Sequence, residues 1–185
     1  MALGFLEAYP GYDFPDTSGP TSFGESDLRL ANRAGARISG AEIVAILERR
    51  GDIESALRGL DPAASLEGGT SSVPWEPLNR LFDCFAEIRG VGYSKLTKTL
   101  HRKRPALIPI LDSVVQAYLT QDEPPLPAPF GEHATTLVRL YKEDLDRNSR
   151  ALGELQRELA IRGHRLTKVR ILDILIWSVS VPARG

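Results

Sequence analysis

WEPLNRLFDCFAEIRGVGYSKLTKTLHRKR, residues 75–104, is the stretch whose reading decides the fold. Leu78, Leu81, Phe82, Phe85 and Ile88 recur at spacings of three and four. That period predicts an amphipathic helix from about Trp75 to Ile88 with one buried face. Arg89-Gly90-Val91-Gly92 then breaks the pattern. Glycines flanking Val91 let the chain turn through conformations that other residues resist. A second helix is expected from Tyr93 to about Lys103, stopped by Pro105. Such a turn leaves backbone N–H groups unpaired at the start of the second helix, where the helix dipole favours an anion such as phosphate.

This helix, Gly-Val-Gly turn and helix read as a helix-hairpin-helix element. Its candidate nucleic-acid contacts are Gly90, Val91, Gly92, Tyr93, Ser94, Lys95, Lys98, Arg102, Lys103 and Arg104. Val91 should point inward and hold the turn. From Ile88 to Leu111 there are six Lys or Arg residues and no Asp or Glu. Overall the net charge is −1, so the local imbalance is the informative quantity. Phosphate contacts by such residues give affinity and salt dependence but no sequence readout. A corner that uses glycine for packing alone satisfies the same pattern.

Working outward, Pro105 and Pro109 keep the following segment extended, and Asp112 opens a helix over 113–120. Residues 121–130 hold four prolines and read as a loop. Amphipathic helices follow at about 131–147 and 149–162, and a largely apolar one at 165–180. Upstream, Ser39 with Glu42 three positions on makes a capping box for a helix carrying Ile43, Ile46 and Leu47. A short helix from about Asp52 to Leu60 comes next, then a loop over 61–74. Residues 1–25 hold Pro10, Pro15 and Pro20 and read as an irregular arm, which Tyr9, Tyr12, Phe14 and Phe23 could pin to the body. No segment sustains strand alternation. The chain is therefore expected to be all-α: one compact helical domain over 26–185 behind an N-terminal arm.

The single cysteine, Cys84, excludes an intrachain disulfide, and alone it cannot build a cysteine-rich metal site. His101, His133 and His164 are scattered, so neither metal nor cofactor is expected. No signal peptide is evident, and the longest apolar run is too short to span a bilayer. A cytoplasmic protein without a membrane partner is expected.

Two motifs together carry a resemblance. Ile88-Arg89-Gly90-Val91-Gly92 is followed, twenty residues after Gly92, by Asp112 within Ile110-Leu111-Asp112-Ser113-Val114-Val115. Residues 75–119 thereby resemble the core of the helix-hairpin-helix DNA glycosylase superfamily, in which a Leu-Pro-Gly-Val-Gly hairpin precedes an aspartate at this separation. The resemblance implies DNA as partner, with RNA an alternative. It implies that Asp112 faces a flipped-out nucleotide, stabilising a cationic sugar or activating water. The same Asp is also a favoured N-cap. Ser94 stands where bifunctional members place a Schiff-base lysine, and Lys95 one place further on is rotated by about 100°. Lyase chemistry is therefore not expected. Arg102-Lys-Arg-Pro, Leu107-Ile-Pro and Asp112-Ser-Val also resemble a family of uncharacterised bacterial proteins.

Other residues invite two readings each. Arg162, His164, Arg165, Lys168 and Arg170 either extend a phosphate track or solvate a helix end. Asp173, in an apolar helix, needs a partner such as an arginine if buried. Trp75, Trp177 and Cys84 read as core, and Asp83 and Glu87 as a solvated face. Three functions remain in play: a monofunctional DNA N-glycosylase, a non-catalytic nucleic-acid-binding module, and a protein-interaction descendant of the fold.

Overall fold

The computed structural model describes residues 18–121, 126 and 129–180. Every regular element among them is helical, so the all-α class read from the sequence is observed. In chain order the helices are α1 (Glu25–Arg33), α2 (Gly40–Glu48), α3 (Arg50–Arg58), α4 (Trp75–Asp83), α5 (Tyr93–Leu100), α6 (Ser113–Leu119), α7 (Phe130–Arg147), α8 (Ser149–Ile161) and α9 (Lys168–Ser180). Short 3-10 turns occupy Thr70–Ser72 and His101–Lys103.

The periodic apolar positions meet in one core. Leu28, Ile53, Leu57, Leu78, Phe82, Phe85, Leu96, Leu100, Tyr141 and Val169 are all essentially inaccessible. Ser39 and Glu42 form the reciprocal capping box at α2. The helix α1 had no sequence forecast of its own. It is capped by Gly24, whose N–H donates to Asp27 at 2.8 Å, and glycine has no side chain to advertise a cap. Of the expected arm, residues 1–17 lie outside the described residues. Residues 18–24 form no helix, and Phe23 is buried edge-on against Phe85, centroids 6.3 Å apart. Most of the proline loop, 122–125 with 127 and 128, also lies outside the described residues.

The helix expected to run to Ile88 ends five residues earlier, at Asp83. Phe85 and Ala86 bond three residues back, to Phe82 and Asp83, both at 3.0 Å. That tighter winding leads to Glu87 at φ +65 and Gly90 at φ +84. Asp83 is meanwhile engaged elsewhere: its Oδ1 accepts from Gly131 N at 2.8 Å, at the start of α7. Asn79 and Asp83 press so closely on Gly131 that no Cβ fits there.

Main contacts of α4 are with α7, and those of α5 are with α1. The helices flanking the Gly-Val-Gly turn thus rest on different neighbours. The last helix, α9, packs on α6 and α8. Loop 61–74 is fastened from two sides. Leu66 N donates to Ala106 O at 2.8 Å. The buried Lys142 ammonium donates to Leu66 O at 3.0 Å and Gly68 O at 2.8 Å.

Candidate nucleic-acid interface

At the turn, Val91 is buried and its N–H donates to Ile88 O at 3.0 Å. Gly92 is exposed, caps α5 and has open space around its Cα. Gly90 is constrained twice: by its positive φ, and by the Glu42 carboxylate, which lies where a Cβ would stand. That same carboxylate accepts from Lys95 Nζ at 2.6 Å and from Ser39 N at 2.7 Å. Glu42 is only partly exposed. Burial raises its pKa, but the bonds from Lys95 and Ser39 outweigh that and hold it below the usual range. Sequence alone marked Glu42 as a capping residue. Its second role follows from the approach of α2 to the turn, which no local pattern encodes.

Tyr93, first residue of α5, is flanked by rings. Phe130 lies 4.7 Å away and His133 is stacked at 4.8 Å. Burial raises the Tyr93 pKa. Ser94 is half-buried.

The basic run is divided by depth. Lys103 is buried, pairing with Asp27 at 2.8 Å and donating to Ser18 and Gly19. Arg104 is fully buried. Its guanidinium donates to the main-chain oxygens of Pro20 (2.7 Å), Lys103 (2.7 Å), Leu57 (2.8 Å) and Leu60 (2.8 Å). Both side chains tie the segment after α5 to residues 18–20, and Arg104 also holds the end of α3. They point inward, away from solvent, whereas Lys95, Lys98 and Arg102 of the same run are only partly buried. The physical reason is that a guanidinium satisfies several carbonyls at once where the chain leaves helical pairing.

Asp112 follows an extended segment whose backbone is clasped by side chains. His101 Nδ1 bonds Ile108 O at 2.6 Å. Asp173 Oδ2 accepts from Ile110 N at 3.2 Å, Thr97 Oγ1 from Leu111 N at 2.9 Å, and Gln116 Nε2 donates to Leu111 O at 2.7 Å. Side chains from α5, the 3-10 turn after it, α6 and α9 thus replace the helical ladder that Pro105 and Pro109 deny the segment. Asp112 caps α6, its Oδ1 accepting from Val114 N at 3.0 Å and Val115 N at 3.1 Å. Its Oδ2 takes no hydrogen bond among the described residues.

Lys98 stands near enough to Asp112 to feel its charge. Burial lowers the Lys98 pKa, Asp112 opposes the shift, and Arg170 and Arg37 reinforce it. Arg37 is exposed at φ +55. The amide of Asn32 holds that conformation by bonding both Ile38 N (2.6 Å) and Ile38 O (2.9 Å). Arg37, missing from the sequence forecast, therefore joins this charged face through a loop that no pattern marks.

Asp173 is buried beneath the site, and its pKa is pushed up to about 8 by burial. Arg170, the Ile110 N–H and Tyr141 pull it down, and Asp112 adds to the rise. The second basic cluster disperses: Arg162 pairs with Glu158 at 2.7 Å, Lys168 with Glu67 at 2.9 Å, and Arg170 is buried.

Among the described residues the protein is all-helical, with a glycine turn before α5 and an aspartate clamped at the start of α6. The chain belongs to a family of unknown function (DUF6308), whose model matches residues 6–180. No curated protein and no solved structure matches it. No described helix is long and apolar enough to cross a membrane.

Proposed function

We propose that the protein binds DNA through the turn and α5, and that Asp112 assists release of a damaged or modified base. The observation that carries this reading is the Asp112 carboxylate. One oxygen is committed to capping α6, the other takes no described bond, and the segment bearing it is held by four side-chain contacts. A fixed carboxylate beside a developing oxocarbenium ion lowers its energy without reorganising. Lys98, within reach of the Asp112 charge, would supply positive charge for a flanking phosphate.

The test pairs binding with turnover. Duplexes bearing modified bases are incubated with wild type and with Asp112→Asn, and free base is quantified. Asparagine is as good an N-cap as aspartate, so this variant keeps the fold and removes the charge. Base release by wild type that is lost in Asp112→Asn is expected. Salt-sensitive binding with no release from any substrate would leave a non-catalytic binding module. No binding at low salt would refute the DNA reading.

The reading as a protein-interaction descendant of the fold has its own support: Glu42 neutralises Lys95 and lies against Gly90. A hairpin so covered grips phosphate less well than an open one.

A further inference from the structure

We propose that Tyr93, packed on Phe130 and His133, is a stacking platform for an unpaired base beside Asp112. The inference rests on the DNA reading and deepens it by naming the side chain that receives the extruded base.

Three features converge on this ring. First, it is not sealed in the core. Phe23, Phe82, Phe85 and Tyr141 are buried, whereas Tyr93, Phe130 and His133 all keep part of their surface. Phe130 and His133 stand one turn apart on α7, so both meet Tyr93 from the same helix face. Second, Tyr93 is tied to the segment that carries the aspartate. The Thr97 hydroxyl donates to Tyr93 O at 2.7 Å and accepts from Leu111 N at 2.9 Å. A single oxygen atom thus joins the first residue of α5 to the residue before Asp112. Third, polar groups here are left over. The Tyr93 hydroxyl takes no hydrogen bond among the described residues, and burial alone raises its pKa. Asp112 Oδ2 is likewise unengaged among them. Nearby groups are spent within the protein: Thr99 donates to Lys95 O, and Gln116 to Leu111 O.

A tyrosine fixed by two rings and by its own main chain offers a preformed π-face with one polar end. Any base can stack on such a face, whatever its sequence. The ring is already ordered, so little side-chain freedom is lost on binding. A base resting there keeps its sugar close to the segment that ends in Asp112, where the proposed chemistry needs it.

The probe is 2-aminopurine, which is bright when unstacked and dim when stacked. It is placed opposite an abasic analogue in a short duplex, and also supplied as the free riboside. Wild type is compared with Tyr93→Phe, Tyr93→Leu and Tyr118→Leu. Tyr118, an exposed tyrosine beside Asp144 at the other end of α7, controls for loss of a surface ring. Wild type should quench the bound probe, and Tyr93→Phe should keep the quench. Tyr93→Leu retains an apolar contact for Phe130, and should lose the quench and bind about tenfold more weakly. Tyr93→Met serves if the leucine variant does not fold. An undiminished quench in Tyr93→Leu, or equal losses in Tyr93→Leu and Tyr118→Leu, would overturn the platform. Riboside quenching that needs Tyr93, with no duplex bound by any variant, would sustain the platform and refute the DNA reading. Duplex binding by wild type without a quench would sustain the DNA reading and refute the platform. Binding of neither probe would refute both.

Discussion

Arg104 offers the sharpest test of how the basic run is used. Its guanidinium is fully buried and donates to four main-chain oxygens at 2.7–2.8 Å. Arg104→Met keeps much of the stem volume and removes every donor. Hydrogen bonds to charged groups are worth roughly 1.5–3 kcal/mol net, and each buried acceptor left unsatisfied costs about 1–3 kcal/mol. Some of the four carbonyls will recover water near the surface, and the contributions share one side chain. A loss of about 4 kcal/mol is a conservative sum. For a chain of this size each kcal/mol shifts Tm by about 2–4 °C, so a fall of roughly 8–16 °C is expected. The assay is thermal unfolding followed by circular dichroism at 222 nm, with urea unfolding to check the free energy. Arg102→Met, next door but half-buried, is the comparison. A loss below about 1 kcal/mol for Arg104→Met would show that surface-type behaviour persists and that the inward bonds do not hold the fold.

Lys103→Met leaves Asp27 buried without its ammonium, and a loss of about 3–5 kcal/mol is expected by the same unfolding assay. Asp173 reverses the usual carboxylate sign. Its folded pKa of about 8 lies above the ordinary aspartate value of 3.8, so the folded state binds the extra proton between those values. Stability from this group therefore falls as pH rises from about 4 towards 8. Asp173→Asn, which can still accept from Ile110 N, should be more stable than wild type, by a margin that widens from pH 5 to pH 8. Urea titrations across that range would contradict the assignment if the margin narrowed. The Cys84 thiol is raised chiefly by burial, with Asp52 and Asp83 adding to it, so alkylation by iodoacetamide at pH 7.5 should be slower than for a free cysteine, measured by mass spectrometry.

The sequence by itself determined the helical class and most helix positions, because apolar period and capping chemistry are local. The Ser39–Glu42 box, the break at Gly90-Val91-Gly92, the stop at Pro105 and the cap at Asp112 each act within a few residues of themselves. Where a helix depended on a distant partner, the local reading failed: α4 stops at Asp83, a residue that caps α7. Charge was legible as a count and not as a direction. Lys98, Lys103 and Arg104 carry the same sign in one short run, yet Lys98 is only partly buried and feels the Asp112 charge, while the other two are buried against Asp27 and main-chain oxygens. Only packing of α1 and α3 around the end of α5 decides that, since a long cationic side chain goes where acceptors need it. For the same reason Glu42 reads as a cap until the fold lays α2 against the turn, where its carboxylate meets Gly90 and Lys95.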